Sequence, residues 1–323
     1  TQKYPGVFVL VQISLISFDF LCAMAFKLSV KELGNKSGPP LFFMAGWPDS
    51  HSVWDAVIVH FTAEFRCLVA CCPEYDRDTP SKLWAYTFDE CTSLLEAAID
   101  EHTKADEKVR LVLHDWGCLW AILYAKRRPE KLSRMVMLDV GANSNDEKMD
   151  KPYSIPAVLW SAFYQSYFAS TFATGSIIKS VTGSHQVASF AGNGMLWPFL
   201  IGFPLWGFQG FSTPQLSRPW HEIRWWMQYP YYHFLRALVC GEIKPNKVFI
   251  PPPRCPIFFI WGKNKRAQFH SPAWCDMLNA RKDGSKALAF DASHWILLDQ
   301  PEEVIAAITP FLQASELPQR SKL

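Results

Sequence analysis

The sequence predicts an α/β protein with a mostly parallel central sheet, helices on both faces and an inserted helical cap. Three observations lead there. From residue 27 to about 142, short apolar runs alternate with stretches of helical spacing, the pattern of parallel strands joined by crossover helices. At Val109–Gly117 an apolar run ends in a polar cluster and a glycine, and helical spacing resumes at Leu119, Ala121, Ile122 and Ala125. From about 143 to 239 long strand runs are absent, and strand texture returns at Cys255–Gly262.

Taken in order, Phe26–Glu32 alternates apolar and polar residues, which predicts an early strand with one wet face. The turn formers of Gly34–Pro40 end it. Leu41–Met44 and Cys67–Cys72 read as short buried strands, the second stopped by Pro73. Thr87 and Glu90 have the spacing of a capping box and open a helix with Cys91, Leu94, Leu95, Ala98 and Ile99 on one face. The strand and helix around Val109–Gly117 follow, then a strand at Met135–Leu138 that ends at Asp139. The next segment is crowded with aromatics and interrupted by glycines, which suggests a mostly helical insertion whose rings would line an apolar pocket over the sheet. Beyond Gly262 come a helix near Pro272–Leu278, a strand at Lys286–Phe290 and a last helix opened by Pro301-Glu302-Glu303, a proline and two acids suited to a first turn. The expected organisation is an apolar N-terminal segment (1–26), a first part of the core (27–142), the helical cap (143–239) and a second part of the core (240–323).

With 323 residues, 49% hydrophobic and 19% charged, the chain can bury a large core. A net charge of +2 without a long Lys/Arg run argues against a nucleic-acid partner. The nine cysteines lack CxxC spacing and the density of a small secreted scaffold, so reduced core residues are expected, Cys118 among them. Neither metal nor organic cofactor is expected. The two ends carry different addresses. Ser321-Lys322-Leu323 matches a signal read by the peroxisomal import receptor. Gly6–Phe26 is apolar enough for a membrane helix, although Gln12 and Asp19 interrupt it. Ala23-Met24-Ala25 would suit signal-peptide cleavage, and a packed terminal helix or strand is the remaining reading. Asn35-Lys36-Ser37 is a glycosylation sequon that has meaning only in the secretory pathway.

The chemistry centres on His114-Asp115-Trp116-Gly117. A sharp turn between a buried strand and a helix lifts one side chain out, the geometry of a nucleophile elbow. Here that side chain is a carboxylate. Serine displacing a leaving group from an sp3 carbon would be left as an ether, whereas aspartate is left as an ester that water can cleave. Asp115 therefore points to alkyl transfer followed by ester hydrolysis. Such a nucleophile needs oxyanion donors, a base for water and a group that stabilises the leaving atom. Backbone N–H groups of Trp47, in the loop Gly46-Trp47-Pro48, and of Trp116 are the candidate donors. His294, between the last strand and the last helix, is the candidate base, and His114 is expected to brace the elbow. The other histidines show no metal-like arrangement and read as satisfied or solvated.

HDWG at 114–117, Gly46-Trp47-Pro48 and Ser293-His294-Trp295 together resemble the α/β-hydrolase fold, in the branch shared by epoxide hydrolases and haloalkane dehalogenases. The resemblance runs from about 27 to 313. It implies a ring-opening tyrosine at Tyr164, in Phe163–Phe168, and a second at Tyr232, late in the cap. Phenols there would hold the oxygen of an opening epoxide and supply a proton; dehalogenases instead bind halide through indole N–H groups, which Trp116 could provide. Two positions depart from the family pattern. Ala45 stands where the first motif usually has histidine. Lys265 stands where the acid of a GxxD motif would orient the base, and a lysine cannot accept the imidazole N–H. Asp139, after the next strand from the elbow, is the substitute. The expected protein is thus a hydrolase opening small lipophilic epoxides, in a peroxisome or at a membrane. The alternatives are a haloalkane dehalogenase and a catalytically lapsed member that binds an apolar ligand.

Overall fold

The computed structural model describes residues 26–144, 154–202, 218–242, 255–265 and 267–315. The apolar segment through residue 25 and the terminal Ser321-Lys322-Leu323, on which the two address readings rest, lie outside the described residues. No helix among the described residues is long and apolar enough to cross a membrane.

Seven strands of the described chain form one sheet: β1 (Val30–Gly34), β2 (Pro40–Met44), β3 (Arg66–Ala70), β4 (Val109–His114), β5 (Leu132–Leu138), β6 (Ile257–Gly262) and β7 (Lys286–Phe290). Their spatial order is β1-β3-β2-β4-β5-β6-β7. β1 runs antiparallel to β3, and every other neighbouring pair is parallel. The first strand begins later than the alternation at 26–32 suggests and is exposed along most of its length, because it pairs on one side only, at the sheet edge. The helices are α1 (Asp55–Ile58), α2 (Phe88–His102), α3 (Trp116–Arg127), α4 (Ile155–Thr182), α5 (His185–Gly202), α6 (Tyr229–Val239), α7 (Pro272–Ala280), α8 (Ile296–Asp299) and α9 (Pro301–Gln313).

Strand side chains alternate between faces, so each central strand feeds two cores. Phe42, Met44, Leu111, Leu113, Met135, Met137 and Phe259 join Leu95 and Ile99 of α2, Trp120 and Tyr124 of α3, Trp274 of α7 and Phe168 and Phe172 of α4. Phe43, Val112, Val136, Leu138, Phe258 and Ile260 join Val57 of α1, Leu297 of α8 and Val304 and Ile308 of α9. The capping box of α2 forms as expected: Thr87 Oγ1 accepts the Glu90 N–H at 3.3 Å, and Glu90 Oε2 accepts the Thr87 N–H at 2.9 Å. Of the described cysteines only Cys240 is exposed, and none is disulfide-bonded.

The described parts of the 143–239 segment are largely helical, with α4 and α5 packed along each other and α6 against α4. The Ser154 hydroxyl accepts the Ala157 N–H at 3.4 Å to start α4, and Gly183 ends it at φ +68. Aromatic rings join this layer to the sheet: Trp47, in the loop after β2, packs on Phe168 of α4 and Tyr231 of α6 at ring separations of 4.7 and 5.7 Å.

The start of α3 is pressed onto the end of β2. A Cβ on Gly117 would stand 2.4 Å from the Met44 carbonyl oxygen, a backbone atom that can give way only by moving the strand. Gly117→Ala is therefore expected to lower stability by about 1–3 kcal/mol, the usual cost of overpacking, measured as the change in the urea unfolding free energy.

Candidate functional site

Because β2, β4, β5, β6 and β7 run parallel, the loops at their carboxyl ends gather on one edge of the sheet. These loops carry Trp47, Asp115, Asp139, Lys265 and His294. Asp115 sits between β4 and α3 at φ +52 and ψ −127, a backbone conformation that costs a non-glycine residue on the order of 1–3 kcal/mol. Several contacts hold it there. Its own N–H reaches the Leu138 carbonyl at 3.4 Å, and its carbonyl accepts the Cys118 N–H at 3.0 Å. The Trp47 N–H donates to Asp115 Oδ1 at 2.7 Å. Only glycine fits at position 46, since a Cβ there would stand 2.1 Å from Asp115 Oδ1 and 2.3 Å from the Trp116 nitrogen. The same close approach brings the Trp47 and Trp116 amides to one side of the carboxylate.

On its other side, Asp115 Oδ2 faces His294 Nε2 at 3.4 Å. The opposite ring nitrogen, Nδ1, is hydrogen-bonded to Asp139 Oδ2. Asp139 follows β5 at φ +69 and has no exposed surface. Its Oδ1 accepts the Gly262 N–H at 3.1 Å, and its Oδ2 also takes the ammonium of Lys265. Burial alone would push the Asp139 carboxyl up, but the charges of Lys265 and His294 outweigh it and hold the carboxyl well below the usual carboxylate range. Burial alone would likewise push the His294 imidazole down; Asp139 and Asp115 outweigh it and raise its pKa from 6.5 to about 9. The imidazole of the resting site thus holds its proton at neutral pH, between two carboxylates.

Behind the ring lies a second buried network. His114 Nδ1 faces Asp49 Oδ2 at 3.1 Å, and its Nε2 faces the backbone carbonyl of His294 at 3.0 Å. Asp49 also accepts from the Trp295 indole at 3.1 Å. Strand alternation explains the placement: His114 shares the side of β4 that carries Val112, the side packed on α8 and α9.

In front of the carboxylate opens a cavity of about 420 Å³ lined mainly by apolar side chains, among them Leu119, Val140, Ala157, Phe234, Leu235, Leu238 and Phe269. Tyr164 and Tyr231 stand on its wall with Asp115 and Trp116, their rings 6.0 Å apart and edge to face. Burial pushes both phenols above their usual range, so both stay protonated donors. Tyr232, expected here, is turned away and packs on Trp84, Phe172 and His233. The correction follows from helical phase. Tyr231 shares one stripe of α6 with Phe234, Leu235 and Leu238, all of which line the cavity, whereas Tyr232 lies about 100° round the helix.

The structure brings Asp115, His294, Asp139, Tyr164, Trp47 and Trp116 together. Three neighbours escaped the sequence reading. Tyr231 carried a signal in the 231/234/235/238 spacing. Lys265 was visible only as an anomaly at the place of an expected acid. Asp49 carried no signal separating it from a surface aspartate. Cys118, next to the elbow, is fully buried with its thiol directed to the Leu138 carbonyl, and burial pushes its pKa far up. Among the described residues no group of three or more His, Cys, Asp or Glu side chains is placed to hold a metal ion.

Sheet order, elbow and late histidine define the α/β-hydrolase fold, and residues 39–180 match the family described by that name. More particularly, the chain is similar to epoxide hydrolase 1 of Caenorhabditis elegans, 22% identical over 290 residues that cover 88% of this chain and 68% of that protein. A haloalkane dehalogenase of Sphingobium indicum is 29% identical over 107 residues, 32% of this chain and 36% of that one. A crystal structure of a Bacillus megaterium epoxide hydrolase bound to an inhibitor superposes with a TM-score of 0.58 at 18% identity, covering 89% of this chain and 97% of the other. The resemblance to the branch containing both enzymes therefore holds at the level of sequence, and the solved structure shares the fold.

The coupling between Asp115 and His294 has a direct consequence. Removing the Asp115 charge withdraws one of the two groups that favour the imidazolium, so Asp115→Asn is expected to lower the His294 pKa from about 9 toward 6.5. NMR titration of labelled histidine checks this, and an unmoved or raised midpoint contradicts it.

Proposed function

We propose that the protein is a hydrolase that opens lipophilic epoxides to diols through an ester on Asp115, with the helices of the 143–239 segment serving as its cap. The observation that carries this reading is the pairing of Tyr164 and Tyr231 on the wall of an apolar cavity that also exposes Asp115. Similarity to epoxide hydrolases supports it.

Asp115 Oδ2, the oxygen not held by the Trp47 N–H, attacks a ring carbon as the carbon–oxygen bond breaks. The departing oxygen takes a hydrogen bond from one phenol and a proton from the other. Esterification removes the Asp115 charge, so the imidazole of His294 loses one of its stabilising partners and gives up its proton, which restores the phenol deprotonated in ring opening. His294 then takes a proton from water, which adds to the ester carbonyl. The Trp47 and Trp116 N–H groups hold the resulting oxyanion, and collapse releases the diol and restores Asp115. Asp139 keeps the imidazole oriented with Nε2 toward the water. The mainly apolar cavity favours a lipophilic epoxide over a charged one, since a charge buried there would lack partners.

The test is intact mass of His294→Gln after exposure to panels of epoxides and haloalkanes. Without its base the enzyme is expected to stall as the ester, gaining the mass of one epoxide. Asp115→Asn in the same background is expected to abolish the adduct. Tyr164→Phe and Tyr231→Phe each slow its formation, and loss of both removes roughly 10²–10⁴-fold, the range of general acid catalysis. Tyr232→Phe is expected to leave the rate within about twofold, as its ring faces the packed side of α6. An adduct from haloalkanes alone would identify a dehalogenase, with Trp116 as halide donor. No adduct from either panel, together with an inactive parent, would indicate a lapsed enzyme that only binds.

A further inference from the structure

The mechanism above leaves one buried charge without a task. Lys265 follows β6, and its side chain is 6% exposed. Its ammonium donates to Asp139 Oδ2 and, at 3.3 Å, to the Asp139 carbonyl, and lies 4.9 Å from the centre of the Phe269 ring. The oxygen it holds is the same one that takes His294 Nδ1. Burying an ammonium beside a catalytic acid is costly, and a neutral donor could fill the same hydrogen-bonding position without bringing a charge. The charge itself therefore calls for an explanation.

We propose that Lys265 is a positioning residue that allows His294 to become a base: by pairing with Asp139, its ammonium balances the carboxylate, so the imidazole is not needed as the counter-charge after Asp115 has become an ester. The proposal rests on the reading of His294 as the water-activating base. In the resting site two carboxylates, Asp115 and Asp139, face one imidazolium and one ammonium, and these four charges cancel. Once Asp115 is esterified, Asp139 and Lys265 cancel each other and a neutral imidazole completes a neutral site. Without the lysine, the only cation available to Asp139 is the imidazolium, which would hold its proton more tightly and become a base only at higher pH. The remaining groups around the ring are the His114 side chain, tilted against it 4.7 Å away with Asp49 behind it, the Cys118 thiol under the elbow, His270 beside the lysine, and the phenols of Tyr164 and Tyr231 across the cavity. Burial and Lys265 hold His270 down at about 4, so it supplies no competing positive charge at neutral pH.

The experiment is NMR titration of labelled His294 in an Asp115→Asn background, whose amide stands in for the uncharged ester carbonyl. Adding Lys265→Met or Lys265→Gln is expected to raise the His294 midpoint by about one unit or more, the effect of removing a nearby like charge; adding Lys265→Arg is expected to leave it within about half a unit. In the otherwise native enzyme, the pH below which ester hydrolysis fails should move up by the same amount in the neutral variants, with the plateau rate little changed. A folded Met or Gln variant whose His294 titrates as in the background overturns the proposal. So does a ζ-nitrogen signal showing Lys265 of the native protein to be a neutral amine near pH 7, a measurement that decides the matter even if both neutral variants fail to fold. Neither NMR reading requires turnover, so the absence of an epoxide adduct would sink the proposed activity while leaving this test intact.

Discussion

Asp139 is the constraint on which the site depends. A carboxylate without exposed surface is stable only when its oxygens are occupied by donors, because an unpaired buried charge costs several kcal/mol. Its three side-chain partners come from three places in the chain: the Gly262 N–H at the end of β6, the Lys265 ammonium in the following loop and the His294 imidazole after β7. Satisfying one side chain therefore fixes the ends of β5 and β6 relative to the loop that carries the histidine. The backbone joins in, since the Asp139 N–H reaches the Ile260 carbonyl at 2.7 Å and Gly141 and Ser271 exchange bonds with the segments across from them. Those segments, 140–142 and 267–269, also line the cavity, so the carboxylate bonded to the histidine and part of the cavity wall belong to one hydrogen-bonded piece.

The strained turn at Asp115 is held from two directions. From the cavity side, the Trp47 N–H and the absence of a side chain at Gly46 lock the carboxylate against the loop after β2. From the opposite side, His114 ties the last residue of β4 to Asp49 and to the backbone of His294 itself. The loops after β2, β4 and β7 are thus linked through one buried imidazole. Backbone strain survives only where the surroundings over-determine it, and here a hydrogen-bonded network on each side does so. Gathering these loops depends on the parallel sheet. An antiparallel sheet would send alternate strand ends to the far edge, and the same residues would not meet.

Much of this could be read from the sequence because it is written in local chemistry. Strand and helix alternation, the Thr87–Glu90 cap and the elbow at Asp115 each depend on residues close together in the chain. The pairing of Asp139 with His294 spans 155 residues, yet the family resemblance implied it, with Lys265 at the place of the usual acid and Asp139 ending the strand after the elbow helix. What could not be read depended on distance without a local signature. Asp49 looks like any loop aspartate until His114 and Trp295 close around it. Tyr231 and Tyr232 are adjacent tyrosines, and only the phase of α6, set by which of its faces meets the cavity, distinguishes them. Lys265 was read as a defect because one residue type was compared with a pattern; its meaning lies in the carboxylate that it touches.

Charge balance joins these pieces. The cavity is mainly apolar, so any net charge left at its floor would be poorly screened and expensive. A reaction that neutralises a carboxylate midway would create such an imbalance unless another group changed charge with it. In the proposed reaction that group is His294, whose proton is held jointly by Asp115 and Asp139 and would be released when Asp115 is esterified. In the resting site the two phenols are neutral because burial keeps their protons on, which leaves them as donors toward an oxygen on the substrate. In the proposed mechanism this couples the two halves of the reaction electrostatically: forming the ester would be the event that makes the base available to break it.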